Sequence, residues 1–135
     1  MTWESPWDGP IAVVTGGRHY REREVVFAEL DRLKPSLVIH GGGTGADAFA
    51  AEWANARGVF TIVVPVTDGV WKRVGNVSGP MRNELMTRVT RLLASDSADP
   101  VPAQALSFPG GSGTRDATRR FRTGGILVWT IPEAP

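Results

Sequence analysis

The sequence predicts a Rossmann-like α/β fold: a three-layer sandwich with a parallel sheet of about five strands and helices on both faces. Three observations carry that expectation. Short apolar runs without alternation recur at 11–15, 36–40, 59–64, 103–108 and 126–129, as in strands buried on both faces. Segments with helical spacing of apolar residues separate these runs, which is the order of βαβ units. Glycine turns follow three of the strands, so all three turns belong to one edge of the sheet.

In chain order, residues 1–10 hold Trp3, Trp7, two prolines and a glycine, and read as an irregular arm ahead of a single domain over 11–135. The strand at 11–15 ends at Gly16-Gly17-Arg18. Residues 21–33 place Val25, Val26, Phe27, Ala28, Leu30 and Leu33 at helical spacing, with a stop near Pro35. The strand at 36–40 runs into Gly41, Gly42, Gly43, Thr44, Gly45, Ala46 and Asp47. A helix over 48–57 carries Phe49 and Trp53 four residues apart, and Gly58 suits its C-terminus. The third strand, 59–64, is closed by Pro65. Residues 66–79 read as a long polar loop. A helix over 80–94 has Pro80 in its first turn. After a polar loop over 95–102, the strand at 103–108 leads through Pro109, Gly110, Gly111, Ser112, Gly113 and Thr114 into a helix over 115–122. Gly124-Gly125 ends that helix, a fifth strand follows at 126–129, and 132–135 form a short tail.

Composition narrows the function classes. The chain has 135 residues, 41% of them hydrophobic and 21% charged, which fits one sheet-based core. A net charge of +1 gives no bulk electrostatic reason to expect a nucleic-acid partner. The absence of cysteine excludes disulfides and thiolate metal sites and agrees with a reducing, cytoplasmic setting. No apolar run approaches transmembrane length, so no membrane association is expected. The first residues show no basic region followed by an apolar one, so no signal peptide is expected.

The stretch from Pro109 to Thr114 is the most informative. A strand, a glycine turn and a helix start make an anion site: the first helical N–H groups lack intrahelical partners and point outward with the positive end of the dipole. Glycine lets a ligand approach the main chain, and Ser112 and Thr114 add hydroxyl donors. The plain alternative is a tight turn, but one glycine would satisfy a turn and three are present. If strand one is central with strand four beside it, the three glycine turns converge on one cleft.

Other motifs fail. A P-loop needs a lysine that neither glycine turn has. Gly41-x-Gly43-x-x-Ala46 matches a dinucleotide fingerprint, yet Val64-Pro65 stands where an acid is expected and Asp68 is a poor substitute. No His/Asp/Glu cluster has metal spacing and no Ser-His-Asp set is visible, so neither metal nor cofactor is expected.

Four blocks together resemble the SLOG superfamily, the Rossmann-like group that contains the "lonely guy" phosphoribohydrolases, and within it the small YspA-related proteins of bacteria and phages. They are Val14-Thr15-Gly16-Gly17-Arg18; His40-Gly41-Gly42-Gly43-Thr44-Gly45-Ala46-Asp47 with Trp53-Ala54; Trp71-Lys72-Arg73-Val74-Gly75 with Gly79-Pro80-Met81-Arg82-Asn83-Glu84-Leu85-Met86; and Phe108-Pro109-Gly110-Gly111-Ser112-Gly113-Thr114. The resemblance runs from about residue 11 to 129. It implies a nucleotide or nucleotide-derived ligand. In the "lonely guy" enzymes an arginine of Arg-x-x-x-Met and a glutamate of Pro-Gly-Gly-x-Gly-Thr-x-x-Glu act on an N-glycosidic bond. Arg82 with Met86 matches the first; Ala117 stands at the second. Asp116 is adjacent, but neighbouring helix residues point about 100° apart, so it is no simple replacement.

The ligand-binding set expected on these grounds is Gly16, Gly17, Arg18, Gly41, Gly42, Gly43, Thr44, Gly45, Asp47, Trp71, Arg82, Asn83, Pro109, Gly110, Gly111, Ser112, Gly113 and Thr114, with Arg82 catalytic only if the protein is an enzyme. Each has a plainer reading. Arg82 would pair with Glu84 or Asp47, or else present its fork to phosphate. Asp47 would favour its helix start or hold a ribose hydroxyl. Arg18 would be a solvated charge, and His40 is read as structural. Trp71 would anchor a loop or stack on a base, and Asn83 would cap or orient a ligand. Arg119, Arg120 and Arg122 suit a helix C-terminus and carry no site role. Two functions follow: a module that senses, carries or sequesters a nucleotide derivative, and an N-glycosidic hydrolase or transferase acting on nucleoside monophosphates. A molybdenum-cofactor carrier belongs to the same superfamily. The missing glutamate favours binding. The resemblance also implies a homodimer, with Trp53 or the 80–94 helix near the interface.

Overall fold

Strand β1 (Ile11–Thr15) is the axis of the sheet, with all five of its residues buried. It pairs in parallel with β2 (Leu37–His40) on one side and with β4 (Ala103–Ser107) on the other. The outer strands are β3 (Phe60–Val63), beside β2, and β5 (Leu127–Thr130), beside β4. The order is β3-β2-β1-β4-β5 with every pairing parallel, as seen in a computed structural model that describes residues 8–96 and 98–135. Most of the expected arm, Trp3 and Trp7 included, lies outside the described residues. The continuous apolar character of β1 and β2 follows from cover on both faces, whereas Phe60, Leu127 and Trp129 on the edge strands are exposed.

Helices α1 (Arg23–Leu33) and α2 (Ala46–Arg57) cover one face, packing Val26, Leu30, Ala50 and Trp53 against Ala12, Val14, Val38 and Leu106. Helices α4 (Ser78–Ala94) and α5 (Ser112–Thr123) cover the other, packing Met86, Ala117 and Phe121 against Ile11, Val13, Ile39 and Ala105. This is the expected Rossmann-like α/β sandwich. Gly58 ends α2 in the left-handed conformation, as expected, at φ 68°. The strand order reverses between β1 and β4, and ligands of such sheets sit beyond the strand ends at that point.

One expectation is corrected. Residues 66–79 are not a loop: α3 (Asp68–Val74) and a 3-10 turn (Gly75–Val77) occupy them. The local chemistry explains it. The Thr67 hydroxyl caps Val70 N–H at 3.3 Å, Asp68 stands in the first turn and Lys72 and Arg73 in the last, all favourable to a short helix. Boundaries also move. Helix α5 starts at Ser112 rather than 115, because Gly111 takes the N-cap position and Gly113 sits in a first turn whose N–H groups make no helical bond in any case. Helix α4 starts at Ser78, ahead of Pro80, and α1 at Arg23. Trp53 is a core residue, its ring 3% exposed and its indole N–H donating to Asp31 at 2.9 Å, so it is no surface residue of this chain.

Candidate functional site

Main-chain hydrogen bonds tie the three turns beyond β1, β2 and β4 to one another. Gly17 N–H donates to Pro109 O at 2.9 Å, and Ala46 N–H donates to Gly17 O at 3.3 Å. The Thr44 hydroxyl donates to Arg18 O at 2.8 Å. Gly45 shows why this approach needs glycine: its φ is +69°, and a Cβ there would stand 2.7 Å from the Arg18 carbonyl carbon.

Between the turns lies an open cavity of about 800 Å³, within the size range of small-molecule sites. Its wall takes Gly16, Gly17 and Arg18 from the first turn, Gly43, Thr44 and Asp47 from the second, and Pro109, Gly110, Gly111, Ser112, Gly113 and Thr114 from the third, with Arg82 and Asn83 reaching in from α4. Fourteen of the expected residues therefore meet at one cavity. A Cβ on Gly111 or Gly113 would meet no protein atom within 4 Å, so the main chain at the start of α5 is open to an approaching group. The expected residues that do not reach the wall are Gly41, Gly42, Gly45 and Trp71. Gly41 carries the carbonyl that accepts from Arg82, and Gly45 makes the close approach to the Gly17 and Arg18 carbonyls. Trp71 is half exposed on α3 and lines no part of this cavity, because its segment is helical rather than a loop over the cleft.

Arg82 is held rather than free. Its Nη1 donates to Gly41 O at 3.0 Å and its Nε donates to Asn83 Oδ1 at 2.9 Å. Among the described residues it forms no ion pair: Glu84 is engaged by Arg88 and Arg120 instead. Asn83 is buried and also donates from Nδ2 to Gly113 O at 3.3 Å and to Asp116 Oδ2 at 3.0 Å. Burial pushes the Asp116 carboxyl up, but hydrogen bonds from Arg120, Asn83 and Arg119 outweigh it and hold the group below the usual carboxylate value. Asp116 does not line the cavity.

Asp47, at the start of α2, is buried and accepts from Gly43 N–H at 3.1 Å. Burial raises its pKa, with Gly43 N–H, His40 and Arg82 acting the other way. His40 accepts from Gly42 N–H at Nδ1, 3.0 Å, while its buried Nε2 has no hydrogen-bond partner among the described residues. Burial lowers the His40 pKa against the pull of Asp47.

The wall also includes Val14, Thr15 and Met86, which belong to the resemblance blocks but not to the expected ligand-binding set, and His19, Tyr20 and Glu133, which the sequence did not single out. His19 and Tyr20 follow directly on the first glycine turn, which was a usable signal. Tyr20 is fixed by its ring, 5.5 Å from that of Phe108. Glu133 had no signal. The tail returns to the cleft because Ile131 continues the β5 pairing, its N–H donating to Ser107 O at 2.9 Å, and buries its side chain.

A parallel sheet in this strand order, with turns gathered over the switch point, defines a Rossmann-like α/β protein with a cleft lined by three glycine turns. The family described as YAcAr, the YspA, cpYpsA-related SLOG family, matches residues 10–67. The Gene 61 protein of Mycobacterium phage D29 is 31% identical over 132 residues, covering 91% of this chain and 97% of the phage protein. The chain belongs to the YspA, cpYpsA-related SLOG family. Among solved structures, DNA processing protein A (DprA) from Streptococcus pneumoniae is similar at a TM-score of 0.63 and 17% identity, over 93% of this chain. The chain spans 51% of that protein, about half its length, and the likeness is one of fold. Among the described residues no helix is long and apolar enough to cross a membrane.

Proposed function

We propose that the protein binds a nucleotide or nucleotide-derived ligand in the cleft between the three turns, and that it senses, carries or sequesters that ligand. The observation that supports this most is the joint presence, on one cavity wall, of the open main chain at the start of α5 and a guanidinium without an ion pair among the described residues. Free helical N–H groups and a fork of donors suit the oxygens of a phosphate. Asp47 and Glu133 stand on the same wall as acceptors for hydroxyl groups of a sugar. Hydrolysis of an N-glycosidic bond is the second reading. Its supports are Arg82 and Met86 at the family positions, and against it stands Ala117, which is fully buried in the core beside α4.

The same reading makes the protein a cytoplasmic homodimer. The exposed apolar residues Val70, Val77, Met81 and Leu85 of the α3–α4 face support assembly there. Nucleic acid is not part of the proposal. The net charge is +1, and a fold shared at 17% identity carries no partner with it.

The deciding experiment is calorimetry of the purified protein against nucleoside mono- and diphosphates, the free nucleosides, and a single-stranded oligonucleotide. Binding of a phosphorylated nucleoside, lost with its phosphate and lost in Gly111→Val, supports the cleft. Gly111 has room for a side chain, so that variant tests the cavity and not the fold. Binding of the oligonucleotide alone overturns the proposal. Light scattering at tens of micromolar tests the dimer: a monomer mass rejects it.

A further inference from the structure

Asp116 is the acid nearest in sequence to the position where related enzymes carry a glutamate, yet its carboxylate faces away from the cleft wall and towards α4. Its partner there is Asn83, which is 2% exposed and has its amide fully used on three sides. The Asn83 oxygen accepts Arg82 Nε at 2.9 Å. Its nitrogen donates to the Gly113 carbonyl at 3.3 Å and to Asp116 Oδ2 at 3.0 Å. Asp116 is itself fixed by Arg120 Nε on the same oxygen at 2.9 Å and by Arg119 on the other oxygen at 2.7 Å. Arg120 reaches on to Glu84, back on α4, at 3.3 Å.

An amide has one end that accepts and one that donates, and each end has its complement here. Asp116 is acceptor-only when ionised, so it orients the amide nitrogen towards α5 and leaves the oxygen for Arg82. The guanidinium then has two attachments, Asn83 at Nε and Gly41 O at Nη1, which together fix its plane. That plane stands on the cavity wall shared with the first turn of α5. A long arginine loses considerable rotamer freedom when it is held this way, so a ligand meeting it need not supply that ordering itself.

We infer that Asn83 and Asp116 form a clasp between α4 and α5 that positions Arg82 for the anionic group of the ligand, making both of them positioning residues and leaving Asp116 without a role in proton transfer. This rests on the binding reading for the identity of the ligand, but the clasp is testable without any ligand.

The first arm is nuclear magnetic resonance of the unliganded, 15N-labelled protein, following the Nε–H resonance of Arg82. Asn83→Ala is expected to shift that resonance and speed its exchange with water, and Asp116→Ala to do so more weakly. The second arm is calorimetry with adenosine 5′-monophosphate. Arg82→Ala is expected to lose about tenfold to a hundredfold in affinity, the effect of one charge-assisted bond. Asn83→Ala should lose much of the same amount, and the double variant no more than Arg82→Ala alone, since residues acting as a unit are non-additive. A purely structural role would instead make the two losses multiply. Asn83→Asp alone sets two carboxylates against each other; combined with Asp116→Asn it restores a donor and an acceptor, and the Arg82 resonance should return towards its original position. Melting temperatures are recorded throughout, and Asp116→Ala, at a partly exposed residue, stands in should Asn83→Ala fail to fold. An Arg82 resonance unchanged in a folded Asn83 or Asp116 variant overturns the clasp. Absence of any binding by the wild-type protein overturns the ligand reading and leaves the first arm to decide the clasp.

Discussion

The Arg82 guanidinium lies against the carbonyl of Gly41, with Nη1 3.0 Å from the oxygen, and this contact exists because Gly41 has no side chain. A Cβ at Gly41 would overlap Nη1 and stand 2.8 Å from Cζ of Arg82. The obstructed group is the end of a flexible side chain, so the fold accommodates the change by moving the arginine. Gly41→Ala is therefore expected to leave the melting temperature nearly unchanged while weakening nucleotide binding about as much as Arg82→Ala. Calorimetry and thermal melting on the same sample check it. A large drop in melting temperature with affinity retained would contradict this account.

Gly45 is the opposite case. Its φ is +69°, and a Cβ would collide with the carbonyls of Gly17 and Arg18, which are backbone and cannot swing away. With ψ at -126° this is a positive-φ conformation largely confined to glycine, which costs an L-residue roughly 1–3 kcal/mol before any collision is added. Gly45→Ala should lower stability by about 2–4 kcal/mol, in the range of strongly destabilising substitutions. Gly111→Ala, with open space around it and an extended main chain, should cost no more than about 1 kcal/mol, the N-cap preference for glycine over alanine. Urea unfolding of the two variants side by side tests the contrast.

The pH dependence of stability has a defined sign at His40. In the folded chain burial disfavours the imidazolium, so its pKa lies below the ordinary 6.5, with Asp47 the charged group acting against that shift. As pH falls through 6.5 the unfolded chain takes up a proton that the folded chain resists, and stability declines until the folded value is passed. Asp47 departs in the other direction: its folded pKa lies above 3.8, so the stability it contributes is present below 3.8 and lost as pH rises through the folded value. His40→Asn keeps an acceptor for Gly42 N–H and removes the titration. It should flatten the loss of stability below pH 6.5, where one group contributes at most about 1.4 kcal/mol per pH unit. Equilibrium unfolding at several pH values is the measurement, and an unchanged slope rejects the assignment.

Nucleoside 5′-monophosphates should not be hydrolysed efficiently. A positioned general base typically contributes about 10² to 10⁴ in rate. Position 117 is alanine, Asp116 is committed to Asn83 and Arg120, Glu84 is committed to Arg88 and Arg120, and Asp47 on the wall is buried and accepts from Gly43 N–H. Free base followed by chromatography over a panel of adenosine, guanosine and cytidine monophosphates tests this, and rapid release defeats it. Restoring the acid by Ala117→Glu is not expected to create activity. Ala117 is fully buried against the sheet, and an unpaired carboxylate in that position should destabilise the protein by several kcal/mol.

Much of this architecture was legible because buried parallel strands and glycine turns have strong local signatures. Five apolar runs gave five strands, and the turns at Gly16, Gly43 and Gly110 indicated one sheet edge. Residues 66–79 differ from the expected loop because a short capped helix with Lys72 and Arg73 in its last turn has the composition of a polar loop. Trp71, expected at the site from the resemblance block that contains it, stands on α3 outside the cavity. Glu133 could not be read at all, since its position depends on Ile131 extending an edge strand. The bond from Asn83 to Asp116 spans two helices and is equally invisible to any local pattern. The indole of Trp53 is satisfied by Asp31 inside the same chain, a contact between α2 and α1 that no local pattern indicates.

The hydrogen bonds that join the three turns run mainly from peptide to peptide: Gly17 to Pro109, Ala46 to Gly17. The seat at the bottom of the cleft is thus written in atoms that every amino acid shares. Arg18, His19 and Glu133 are attached around it on a loop and a tail, outside the two buried core clusters. Lineages descended from such a scaffold are free to exchange these rim groups one at a time, altering which molecule is chosen while the place that receives it stays the same.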